Sequence, residues 1–170
     1  MPELTISPIQ LVRYTVLDVA FRRNLEAEAG PTIIFGTDVN QYDPSEATQD
    51  DPQFIGLRVR MHTGQPGCAE EDAREQGHVH LIGGVAWAGP PDFDPEQKQR
   101  LLRVNGLSLL YGIARTLIAQ LSETGGMAPV MLPTVGFQNF ADDEAPETPP
   151  DDLVPEVPQA RKRRPPKPKA

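Results

Sequence analysis

The sequence predicts an α+β protein in which a four-stranded antiparallel sheet is followed by a long helix. Two observations carry this. Four strand-like segments fall between residues 9 and 89, and the one long segment of helical period, residues 101–122, comes after them all. A run of strands followed by a run of helix gives an antiparallel sheet with its helix segregated to one face. The 170 residues hold one domain with a real core and leave room only for tails beside it.

Residues 9–24, IQLVRYTVLDVAFRRN, contain neither Gly nor Pro and are rich in β-branched and aromatic side chains, which predicts a long first strand. Strict alternation puts Leu11, Leu17, Val19 and Phe21 on one face and Val12, Tyr14, Val16 and Ala20 on the other. Both faces are apolar, so both want cover. After the turn signal Gly30-Pro31, TIIFGTDVNQY predicts a second strand, and the polar residues 43–53 a connector. In QFIGLRVRMHTG, Ile55, Leu57, Val59 and Met61 alternate with Gly56, Arg58, Arg60 and His62, the pattern of a half-buried third strand. HVHLIGGVAWAG repeats that pattern with Val79, Leu81, Val85 and Trp87, and is expected to pair with the third strand as a hairpin.

Pro90-Pro91 ends the sheet, and the helical half opens with Asp94 as N-cap and Pro95 at the first helical position. Leu107, Leu110, Ala114, Leu117 and Leu121, widened by Ile113 and Ile118, form one apolar face. Ser108, Gly112, Arg115, Ala119 and Ser122 form a face of mostly small side chains, so the helix is expected to be covered on two sides. Mid-helix glycine costs roughly 1 kcal/mol against alanine, so Gly106 and Gly112 point to close contacts. Gly125-Gly126 stops the helix, and MAPVMLPTVGFQNF predicts an extended crossing segment that can end in a short helix.

Residues 1–140 are expected to fold as the domain, and residues 141–170, with eight prolines and no aromatic residue, to form a disordered tail, acidic then basic. The tail carries seven acidic and six basic residues of a chain whose net charge is -8, so the body carries -7. An acidic body repels nucleic acid. The basic end RKRRPPKPKA is the exception, and binding of nucleic acid or membrane through it is the weakest of the functional expectations. No run of eighteen apolar residues exists and MPELTISPIQ lacks the basic flank and apolar core of a signal peptide, so a cytoplasmic protein without stable membrane insertion is expected.

The ordered segments LVRYTVLDVAF, LRVRM, GGVAWAG, Ile113-Ala114-Arg115, Gly126-Met127-Ala128-Pro129 and Leu132-Pro133-Thr134-Val135-Gly136-Phe137 resemble those of the SecB family of export chaperones. The similarity covers about residues 10–140. It implies a homotetramer, a dimer of dimers, that binds unfolded polypeptides in apolar surface grooves without ATP and keeps them competent for translocation. The candidate client contacts are Phe21, Leu81, Val85, Trp87, Leu110 and Met131. Asp18 resembles an acidic residue of the family's docking surface for the motor SecA, whereas the next such position is Arg22 and HVHLIG has no acidic residue. Leu107 and Gly112 stand where the family has prolines, which implies a straighter helix. Family members paired with toxin-antitoxin systems suggest the alternative of a dedicated chaperone for one protein such as an antitoxin.

The residues argue against catalysis. There is no GxGxxG, P-loop, GxSxG or HExxH, and no cofactor is expected. His62, His78 and His80 could meet on one sheet face, but Arg58 and Arg60 share it and disfavour a cation, so a solvated polar face is expected and no metal. The single cysteine, Cys68, lies in a turn-rich loop and reads as a bystander.

Overall fold

In a computed structural model, residues 7–27, 30, 32–41, 46–64, 69–123 and 128–138 are described. Cys68, the Gly125-Gly126 stop, the start of the crossing segment and the tail 141–170 lie outside them. The elements are β1 (Ile9–Arg23), β2 (Thr32–Gln41), β3 (Gln53–Gly64), β4 (Glu75–Trp87) and α1 (Pro95–Ser122), with one 3-10 turn at Glu70–Asp72. The expected sheet followed by a helix is what forms. All three strand pairings are antiparallel, and the order across the sheet is β1-β4-β3-β2.

Alternation positions β3 and β4 as their sequences require. Ile55, Leu57, Val59 and Met61 face the helix at 0–1% exposure, and Val79, Leu81 and Val85 pair beside them at 0%. β4 starts at Glu75, three residues before the segment expected from alternation, and Arg23 fixes that start through a 2.7 Å ion pair to Glu75.

α1 is one helix of 28 residues. The carboxylate of Asp94 accepts the Gln97 N–H at 2.9 Å, and Pro95 occupies the first turn, where a missing N–H costs nothing. The helix lies over β4: a Cβ on Gly83 would meet Leu110 and one on Gly77 would meet Ile118. Its length and apolarity would suffice to cross a membrane, but its apolar face is the core face, with Leu107, Leu110, Ala114 and Ile118 at 0% exposure.

Residues 128–137 are extended and run along one flank of the helix. The Tyr111 hydroxyl donates to the Pro133 carbonyl at 2.8 Å, and the Arg115 Nε–H to the Leu132 carbonyl at 2.9 Å. Ser122 Oγ accepts the buried Val130 N–H at 2.7 Å. Val130, Leu132 and Phe137 are buried, and Phe137 meets Tyr111 edge-on with ring centroids 5.6 Å apart. The second cover of the helix is thus this strap. It takes Arg115 and Ser122 from the small-residue face and leaves Ser108 and Gly112 exposed.

Candidate functional site

β1 is an edge of the sheet, 15 residues long, and among the described residues no strand pairs with its outer side. An unpaired edge presents a row of backbone donors and acceptors that templates another strand. Two register shifts, between Leu11 and Arg13 and between Val16 and Asp18, leave Val12 and Leu17 without a partner on β4. Each bulge resets the alternation. The helix-side face of β1 is therefore Leu11, Tyr14, Val16, Val19 and Phe21, because their partners Val85, Gly83, Leu81, Val79 and Gly77 face the helix. These residues come from both of the sets that strict alternation separates.

The helix lies over β4 and contacts β1 and β3 on either side of it, yet this face of β1 is incompletely buried. Tyr14 is 51% exposed, Val16 and Val19 37% each, and the bulge residues Val12 and Leu17 40% and 39%. On the helix Leu109 and Leu121 are also exposed. Single exposed apolar residues are ordinary, whereas five on one unpaired strand form a patch that marks an interaction surface. Covering such side chains gains roughly 1 kcal/mol each at about 25 cal/mol per Å². A second apolar opening, about 330 Å³, lies between the outer helix face and the strap, lined by Gly112, Thr116, Ala119, Pro129 and Met131 among others.

The sequence-derived contact candidates divide by depth. Leu81, Val85 and Leu110 are fully buried between sheet and helix, where they hold the subunit together. Phe21 and Trp87 are half-buried, and Met131 is 55% exposed beside the strap groove. Trp87 stacks at a tilt on Phe93, with centroids 4.8 Å apart, and its indole N–H donates to the Pro90 carbonyl at 3.0 Å. Tyr14, Val16 and Val19 were not singled out as contact candidates by the sequence. The signal that finds them is the surplus of apolar residues in β1 over what one face can hide.

The opposite face of the sheet is polar. Asp18, His80, Arg58 and Asp38 stand in register across all four strands. His78 and Arg60 follow in the next row, and the contacts run diagonally. His78 Nε2 lies 2.8 Å from Asp18 Oδ2, and Arg60 reaches Asp38 at 3.1 Å. Burial, reinforced by the Arg58 guanidinium, holds the His80 imidazole below its ordinary pKa, against an opposing pull from Asp18. Among the described residues no group of three or more His, Cys, Asp or Glu is placed to hold a metal ion. Asp18, the position that resembles a SecA contact, is exposed and paired to His78.

The four-stranded antiparallel sheet followed by one long helix is SecB-like in fold. The chain is similar in structure to the SecB-like chaperone Rv1957 of Mycobacterium tuberculosis, solved in complex with a ChAD peptide from the Rv1956 HigA1 antitoxin. The TM-score is 0.50 at 12% sequence identity, and the match covers 76% of this chain and 89% of that one. A protein of unknown function from Streptococcus agalactiae matches with a TM-score of 0.42 at 15% identity, over 74% of this chain and 97% of that one. No family model matches the sequence, and no curated protein does.

Proposed function

We propose that the chain is an ATP-independent holdase chaperone that binds non-native polypeptide on its exposed apolar surface. The observation that carries this is the concentration of Val12, Tyr14, Val16, Leu17 and Val19 on one unpaired edge strand. An extended client supplies both things the edge lacks: backbone partners and apolar side chains. Met131 and the strap groove add a further contact, and Phe21 and Trp87 contribute their exposed edges. Several weak contacts on one client multiply its residence, so no covalent or nucleotide-driven step is needed.

Assembly belongs to the same proposal. An edge strand of this length is also a template for a second copy of the chain, and a homo-oligomer, a tetramer built as a dimer of dimers, would divide the apolar surface between subunit contacts and client grooves. In the cell the proposed setting is the cytoplasm and the clients are preproteins kept open for translocation. Suppression of aggregation of a chemically denatured test protein at near-stoichiometric ratio is expected. A folded sample without suppression overturns the proposal.

The second reading is a dedicated chaperone of one protein. It is favoured by the antitoxin peptide bound to the Mycobacterium tuberculosis neighbour and by Arg22, which stands where the SecB family's docking surface for SecA carries an acid. Capture from the protein's own cells separates the two. Many unfolded precursors support the general holdase, and one recurrent protein the dedicated one.

A further inference from the structure

The outer sheet face is basic on an acidic chain. Arg13, Arg22, Arg58 and Arg60 lie on it against two carboxylates, Asp18 and Asp38, among the described strand residues. The face therefore carries a net +2 before its three histidines, while the whole chain carries -8. The Arg60 and Asp38 side chains are about half exposed at 56% and 51%, so their pairing leaves the guanidinium open to a further anion. Arg13 is held over the Phe54 ring at 5.0 Å, which fixes one cation toward the β1 end of the face.

The complementary charge is in the same chain. Residues 142–156 hold seven acidic residues and no basic one. They begin four residues beyond Gln138, the last described residue, and end 18 residues beyond it. At ~3.3–3.6 Å per residue the stretch reaches from about 14 to about 60 Å, more than enough to round a sheet whose packed layers are about 10 Å apart. Tethering gives it a local concentration on the order of millimolar, which a free acidic peptide in the cell does not match. The acidic turn Glu70–Asp72 adjoins the last row, where the Gln76 amide donates to the Glu70 carbonyl, and repels anions from that end. The rows around Arg58 and Arg60 remain.

We propose that the acidic stretch 142–156 docks on the basic outer face of the sheet of its own subunit, as an electrostatic cover that a more acidic partner would displace. This goes beyond the chaperone reading and stands or falls without it, since the apolar edge and this face are different surfaces.

The test is paramagnetic relaxation in the full chain, with a nitroxide at Thr148→Cys in a Cys68→Ser background. At low salt the amides of Arg58, Arg60, His78 and His80 are expected to lose at least about half their intensity, and to recover at 1 M salt, where the Debye length is about 3 Å. Replacing the seven acids by their amides, which leaves the sheet untouched, is expected to restore the intensities too. Arg58→Glu/Arg60→Glu gives the same result from the other side. Undiminished amides at low salt, broadening confined to the helix face, or broadening that persists in the amide variant each overturn the proposal. So does broadening seen only when labelled and isotopically enriched chains are mixed, which would place the stretch on a second copy.

Discussion

Gly106 of α1 lies directly against Ile55 of β3: a Cβ at that position would stand 2.7 Å from Ile55 Cδ1 and 3.1 Å from Val85 Cγ1. With Leu110 at Gly83 and Ile118 at Gly77, it is one of the close approaches between helix and sheet. Gly112, six residues on, meets nothing within 4 Å.

The two glycines are therefore expected to respond oppositely to alanine. Gly106→Ala gains helix propensity but overpacks the core, and is expected to lose up to about 2 kcal/mol net. Gly112→Ala meets no packed neighbour within 4 Å among the described residues and is expected to gain up to about 1 kcal/mol. Urea denaturation of both variants checks the pair.

Ser122 holds the strap by accepting the buried Val130 N–H. Ser122→Ala leaves that N–H without a partner and is expected to cost about 1–3 kcal/mol. Amide hydrogen exchange should quicken at Val130 and Leu132 before it does in β3, because the strap is released ahead of the sheet.

Depth separates the residues that hold the fold from those proposed to bind. Leu110→Ala removes a fully buried side chain and is expected to cost about 2–5 kcal/mol. Val16→Ser/Val19→Ser acts on positions about one-third exposed and is expected to cost less, about 1–2 kcal/mol, while weakening capture of an unfolded polypeptide. Denaturant midpoints and binding, measured on the same samples, distinguish the two classes.

Among the described residues, His80 and Tyr111 are expected to make stability depend on pH. The His80 pKa is lowered from 6.5, chiefly by burial and then by Arg58, so the folded state prefers the neutral ring. Its contribution is present above pH 6.5 and is lost as pH falls through the lowered folded value. Tyr111 is raised above 10.0 by burial, with Arg115 opposing, so its contribution is present below pH 10.0 and is lost as pH rises through the folded value. His80→Gln is expected to reduce the acid dependence and Tyr111→Phe the alkaline one, as read from urea midpoints across pH.

Much of this fold was legible because its alternations are clean. In β3, and in β4 as far as Val85, each apolar residue has a polar or glycine neighbour, so one face is marked to turn inward, and Asp94-Pro95 states the helix start in two residues. β1 was legible as a strand but not as two faces. Its bulges at Val12 and Leu17 are geometric choices made against β4, and in a segment apolar in both frames no residue marks them. Periodicity also tells that a side chain wants cover and not what supplies it. Leu81, Val85 and Leu110 find theirs within the subunit, whereas Tyr14, Val16 and Val19 find only part of it.

The most direct measurement is fluorescence anisotropy of a labelled, permanently unfolded polypeptide titrated with the full chain and with Val16→Ser/Val19→Ser. Saturable binding by the parent is expected, roughly thirtyfold weaker in the variant if the two side chains together contribute about 2 kcal/mol. A folded parent that binds no polypeptide, or a variant that binds as tightly as the parent, would contradict capture at the β1 edge.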